Sequence, residues 1–186
     1  MAAAPDLSAR AVEDTRRWLE RAVIGLNLCP FAKAAYVKGQ VHFAIAAGRD
    51  FADVLADLDR EAVELVGRSA AERDTTLLIV PGGFEEFLLF NELVRQGERL
   101  LARRGLEGVL QLASFHPAFV FAGTEDAEPG NWSNRSPYPT LHLLREASID
   151  RAVAAIPDPE AIYDANIETL RRLGPEGWRA LGVDRS

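Results

Sequence analysis

Thr75–Gly83 reads TTLLIVPGG, and the fold turns on it. The run from Thr75 to Val80 is apolar on both faces and closes on Pro81 and a di-glycine, as expected of a strand covered from above and below. Outward from it, Asp50 caps a segment carrying Phe51, Val54, Leu55, Leu58, Ala62, Leu65 and Val66 at helical spacing. Before that, QVHFAIA (Gln40–Ala46) alternates Val41, Phe43 and Ile45 against polar or small residues, the period of a strand. Beyond Gly83 a helical pattern runs from about Phe84 to Arg104, Gly105 and Gly108 bracket a turn, and VLQLASF (Val109–Phe115) forms a third strand. Strand, helix, strand, helix, strand predicts an α/β fold: a central mostly parallel sheet of three to four strands with helices packed on it. TLHLL (Thr140–Leu144) is expected as a fourth strand antiparallel to the third, with a helical reading of LHLLREA as the alternative. Between His116 and Pro139 lies a long Gly-, Pro-, Asn- and Ser-rich connection, the kind of loop that carries function.

The flanks are helical. Ser8 is placed to cap a helix burying Val12, Leu19, Ala22, Val23 and Leu26, and Pro30 to open a short second helix closed by Gly39, with Cys29 at its N-cap. Ser148 is expected to cap another helix. Asp158 and Pro159 start a last one with Ile162, Tyr163, Ile167, Leu170 and Leu173 inward, ending at Gly174. A chain of 186 residues fits one domain over 1–186, with 1–8 and 183–186 as flexible ends.

Composition narrows the partners. A formal charge of -7 argues against nucleic acid, whose phosphates demand clustered Lys and Arg. No apolar run is long enough to cross a bilayer and the N-terminus lacks a signal-peptide pattern, so the expected location is cytoplasmic with no membrane partner. A single cysteine forms no internal disulfide and agrees with a reducing compartment.

Candidate chemistry gathers around that cysteine and two histidines. At a helix N-cap the Cys29 thiol would lie against unpaired N–H groups, which favour thiolate. His116 follows the third strand at the edge where open α/β sheets bind ligands, and an antiparallel fourth strand would start there, bringing His142 close to it. Cys29, His116 and His142 together make a catalytic set, or the ligands of a single metal ion with one open position. The competing reading of Cys29 is a small core residue. In the loop, Arg135 offers a planar fork for an anion, and Asn134 a hydrogen-bonding amide. Asn27, Lys33, Tyr138 and Arg145 complete the candidate contacts to a small anionic molecule. There is no nucleotide motif: Gly82-Gly83 lacks both the dinucleotide fingerprint and the phosphate-loop lysine. Haem ligation through Cys29-Pro30 ranks last.

Four blocks, VIGLNLCPFAK from Val23, TTLLIVP from Thr75, QLASFHP from Gln111 and NRSPYPTLHLLREAS from Asn134, together resemble a bacterial family, the domain of unknown function 1415 family. The resemblance runs from about Val12 to Gly177. Asp74, Phe90, Phe119 and Trp132 depart from the family pattern, whereas Cys29, His116, Arg135 and His142 fit it. The resemblance implies no activity. Two functional readings therefore stand: a small enzyme using a Cys/His/Arg site on an anionic molecule, by thiol or metal-assisted chemistry, or a non-catalytic module that binds a metabolite, metal or protein and only packs its cysteine.

Overall fold

A computed structural model of the chain describes residues 7–155, 158 and 161–186. The order of elements is α1 (Leu7–Trp18) running into a π-helical turn (Leu19–Ile24), α2 (Ala32–Val37), β1 (Val41–Ile45), α3 (Phe51–Val66), β2 (Thr75–Ile79), α4 (Phe87–Arg103) and β3 (Leu110–Phe115). A 3-10 turn (Pro129–Asn134), β4 (Thr140–Arg145), α5 (Glu146–Ala154) and α6 (Ala161–Ala180) follow.

The sheet has the order β1-β2-β4-β3. β1 and β2 pair in parallel, and β4 is antiparallel to both β2 and β3. The α/β class holds and Thr140–Leu144 is a strand, but the sheet is not mostly parallel. β1, β2 and β3 do run the same way; β4 enters between β2 and β3 and replaces their parallel contact with two antiparallel ladders. Alternating apolar residues specify which face a side chain takes, not which neighbour a strand accepts.

β2 is fully buried, as its two-faced apolar run requires. On one face Leu78, Leu110, Leu141 and Leu143 pack with Val54, Leu58 and Leu65 of α3 and Phe90 and Leu93 of α4. On the other, Leu77 packs with Trp18, Leu19 and Val23 from the first helix, with Leu170 and Trp178 of α6, and with Trp132. Asp50 caps α3, its Oδ1 accepting from the Asp53 N–H at 2.9 Å.

Several local expectations shift. α5 begins directly after β4, so Ser148 lies inside it, its hydroxyl donating to Asp74 Oδ1 at 2.6 Å. α6 breaks where expected: Gly174 has φ 67 and ψ 174, Pro175 follows, and a second helical stretch continues to Ala180. Tyr163 is exposed rather than inward. Asp158 Oδ1 accepts from the Ala161 N–H at 3.3 Å, while the expected role of Pro159 lies outside the described residues, as do residues 1–6. The last residues, expected as a loose end, pack instead: Val183 is buried, Arg185 stacks on the Tyr138 ring, and the Ser186 N–H donates to Asp14 Oδ2 at 3.2 Å. No helix among the described residues is long and apolar enough to cross a membrane.

Candidate functional site

The first helix does not end in a simple turn. From Leu19 it widens to π geometry, with the Gly25 N–H bonding to Glu20 O and the Leu28 N–H to Val23 O, both at 2.9 Å. Asn27 then reverses the chain at φ 55. This widened end turns Trp18, Leu19 and Val23 toward a cavity of about 410 Å³ over the sheet, and Cys29, Phe31, Phe115 and His142 line the same cavity. Cys29 is not the N-cap: α2 starts at Ala32 with Phe31 in the cap position, and the Cys29 carbonyl merely accepts from the Ala32 N–H at 3.2 Å. Pro30 accordingly sits outside the helix. The expected alignment of a helix N-terminus on the thiol is therefore missing, because the chain needs two more residues to clear the turn at Asn27.

His142 stands mid-strand, level with Leu77 of β2 and Ala113 of β3. The small Ala113 leaves room beside the imidazole. Its Nε2 lies 2.6 Å from Thr75 Oγ1, whose own proton is given to Leu143 O at 2.7 Å. The hydroxyl has one proton, so Nε2 must carry the hydrogen in the bond between them. Nδ1 is then a bare acceptor without a partner among the described residues. The ring packs on Phe115 at 5.6 Å between centroids, and Phe115 meets Trp18 edge-on at 4.9 Å. Burial with no compensating carboxylate pulls the His142 pKa down to about 4. At neutral pH the imidazole is uncharged.

His116 is elsewhere. It continues the parity of Leu110 and Leu112, so it points to the α3/α4 face, fully buried between Phe87 and Phe90 at 5.2 and 5.1 Å. Nε2 bonds to Phe84 O and Nδ1 accepts from the Ala118 N–H, both at 3.0 Å. Burial lowers its pKa too. The sheet separates it from His142, and the expected Cys29, His116 and His142 cluster is not assembled. Among the described residues no three His, Cys, Asp or Glu side chains gather as a metal set.

The other candidate residues are mostly structural. Arg135 donates to Phe119 O at 3.1 Å and to the Asp126 carbonyl and carboxylate at 3.0 and 2.9 Å, tying the long loop to itself. Asn134 donates to Ser114 O, and the Tyr138 hydroxyl to Asp14 Oδ2 at 3.0 Å. Arg145 reaches the cavity wall but spends its guanidinium on the carbonyls of Leu65, Arg68 and Arg73. Asn27 and Lys33 are exposed and line none of the cavities described here. Reasoning from the sequence missed Trp18, Thr75 and Lys38 in the cavity wall. For Thr75 there was a signal, a polar residue opening a strand otherwise built to be buried; Trp18 and Lys38 depend on the π turn and on the placement of α2.

A family model described as protein of unknown function (DUF1415) matches residues 10–180. The chain belongs to the DUF1415 family. Comparison with curated proteins and with solved structures gave no match. Within this DUF1415 chain the matched span contains every residue named above from the Cys29–His142 cavity.

Proposed function

We propose that the chain binds a small molecule with an apolar body and an anionic head in the Cys29–His142 cavity. The observation that carries this is the shared wall: two polar side chains from distant segments border one largely apolar cavity, whose volume lies within the roughly 300–1,000 Å³ usual for small-molecule sites. The body of the ligand packs on Trp18, Val23, Phe31 and Phe115. Its head faces Lys38 and Arg151 at the rim, of which the Lys38 side chain makes no hydrogen bond or ion pair with the described residues. His142 Nδ1 accepts a hydrogen bond from a donor on the ligand.

Binding is favoured over thiol catalysis by the state of His142. A ring with a pKa of about 4 holds a proton poorly at neutral pH, so it does not support a thiolate–imidazolium pair with Cys29. The net charge of -7 supports a single charged head rather than a polyanion such as nucleic acid.

Titration with the fluorescent aromatic anion anilinonaphthalene sulfonate tests the proposal. The expected result is saturable binding that Ala152→Trp, which adds an indole to the cavity wall from the partly exposed face of α5, weakens by about tenfold or more. Cys29→Ala is expected to leave affinity within about twofold, since the thiol adds only packing. Binding indifferent to Ala152→Trp would refute the site. Rapid labelling of Cys29 by a thiol reagent, protected by the same anion, would move the assignment toward thiol chemistry.

A further inference from the structure

We infer that a second site, at the edge of the sheet where β2 and β3 end and β4 begins, binds the oxyanion of a small molecule, a carboxylate or a phosphate. The cavity there measures about 530 Å³ and shares no residue with the Cys29–His142 cavity, so the inference stands apart from the function proposed above. Pro117 after β3, Pro139 before β4 and the C-terminal residues from Val183 to Arg185 enclose it. In α/β sheets this edge collects ligands, because the chain leaves the strands there in loops that diverge.

The donors in its wall are unusually free. Arg179 lines the cavity and makes no side-chain hydrogen bond or ion pair with the described residues. Arg185 gives one hydrogen bond to Pro81 O at 2.9 Å and lies 4.2 Å above the Tyr138 ring, with no carboxylate to neutralise it. Trp132 and Trp178, only 8% and 9% exposed, form the apolar floor with centroids 5.8 Å apart. Neither indole N–H has a partner among the described residues. Unlike the Trp18 N–H, neither is sealed from solvent, so both can donate to an anion that enters the cavity. Arg135 is the third guanidinium in the wall, already paired with Asp126.

Two carboxylates oppose this. Glu85 accepts from the Gly83 N–H at 3.1 Å, and Asp184 offers its carboxylate without a cation. With Arg135 neutralised by Asp126, two guanidiniums, Arg179 and Arg185, stand against two carboxylates, Glu85 and Asp184. An oxyanion is drawn there by the guanidiniums of Arg179 and Arg185, which no carboxylate pairs, rather than by a net positive wall.

Isothermal titration with inorganic phosphate and, separately, with succinate tests the inference, with tryptophan fluorescence followed in parallel. The expected outcome is saturable binding of at least one of the two below about 10 mM. Arg179→Gln and Arg185→Gln should each weaken it by about tenfold, the worth of one charge-assisted hydrogen bond. Arg172→Gln, on α6 but outside the cavity, should not. The Arg179 side chain makes no hydrogen bond or ion pair with the described residues, so its variant separates lost binding from lost folding even if Arg185→Gln loosens the C-terminus. Phosphate alone binding would identify a phosphate ester as the ligand class, and succinate alone a carboxylate. Binding of neither anion, or equal affinity in Arg179→Gln and Arg172→Gln, would overturn the inference.

Discussion

Two histidines, His116 fully buried and His142 half-buried, do different work. His116 has each ring nitrogen committed and joins the start of α4 to the loop after β3. His142 commits only Nε2. Above its ordinary pKa of 6.5, His142 is neutral folded or unfolded and does not affect stability; between 6.5 and about 4 only the unfolded chain takes up the proton. Stability therefore falls as pH falls through that window, by up to about 1.4 kcal/mol per pH unit from this residue. His142→Leu should flatten the fall, because Thr75 keeps its bond to Leu143 O. Comparing urea midpoints at about pH 7 and about pH 5 checks this; equal slopes in variant and parent would contradict it. His116 and His42, both lowered in the same direction by burial, contribute to the slope that remains. The opposite placement of the two rings was partly legible. Counting by twos from Leu110 through Leu112 puts His116 on their face, and Leu141 and Leu143 put His142 on the other once both leucine sets are known to share a core. That last condition is a tertiary fact, and alternation alone does not supply it.

At the scale of elements, the strongest local patterns survived and their ends moved. The α3 cap at Asp50 and the buried run of β2 were legible because each depends on residues a few positions apart. The start of α2 was not, since Pro30 suits the first turn of a helix, but the chain first has to complete the reversal at Asn27. The loops between β1 and α3 and between β2 and α4 touch at Gly83. Its φ is 91, and a Cβ there would stand 2.0 Å from the Arg49 carbonyl oxygen. Both the backbone and the space exclude a side chain. Gly83→Ala should cost about 2–4 kcal/mol in chemical denaturation, and a neutral result would mean that this loop contact does not form. Because Phe84 O receives the His116 bond, the same variant should disturb the packing of His116.

Two long-range ties hold the whole molecule. Arg145, at the end of β4, gathers carbonyls from the end of α3 and the start of β2. Nothing in a sequence marks an arginine as a backbone clamp rather than an anion fork, so its assignment to a ligand was natural and its contacts decide otherwise. Arg145→Met keeps the stem and removes the fork; it should destabilise by about 3 kcal/mol in urea unfolding, with the carbonyls left to find water. The second tie is Asp14, fully inside, which accepts from the Arg17 guanidinium, the Tyr138 hydroxyl and the Ser186 N–H. Burial alone would raise its pKa, but hydrogen bonds from Ser186, Tyr138 and Arg17 outweigh burial and hold it below the ordinary carboxylate value. Its contribution is present above that ordinary value and is lost as pH falls through the folded one. Asp14→Ala should release the C-terminus, seen as trimming by carboxypeptidase at least about tenfold faster than in the parent. Unchanged trimming would mean that the other contacts of the tail suffice.

Because β4 fills the gap between β2 and β3, the centre of the sheet is the last part of it to be synthesised. A nascent chain that has produced β3 but not β4 holds two open strand edges and no way to join them, since β2 and β3 are one strand's width too far apart. Ribosomal stalling or truncation before Thr140 should therefore yield chains that associate with one another or with chaperones, whereas loss of the last helix would leave the sheet closed.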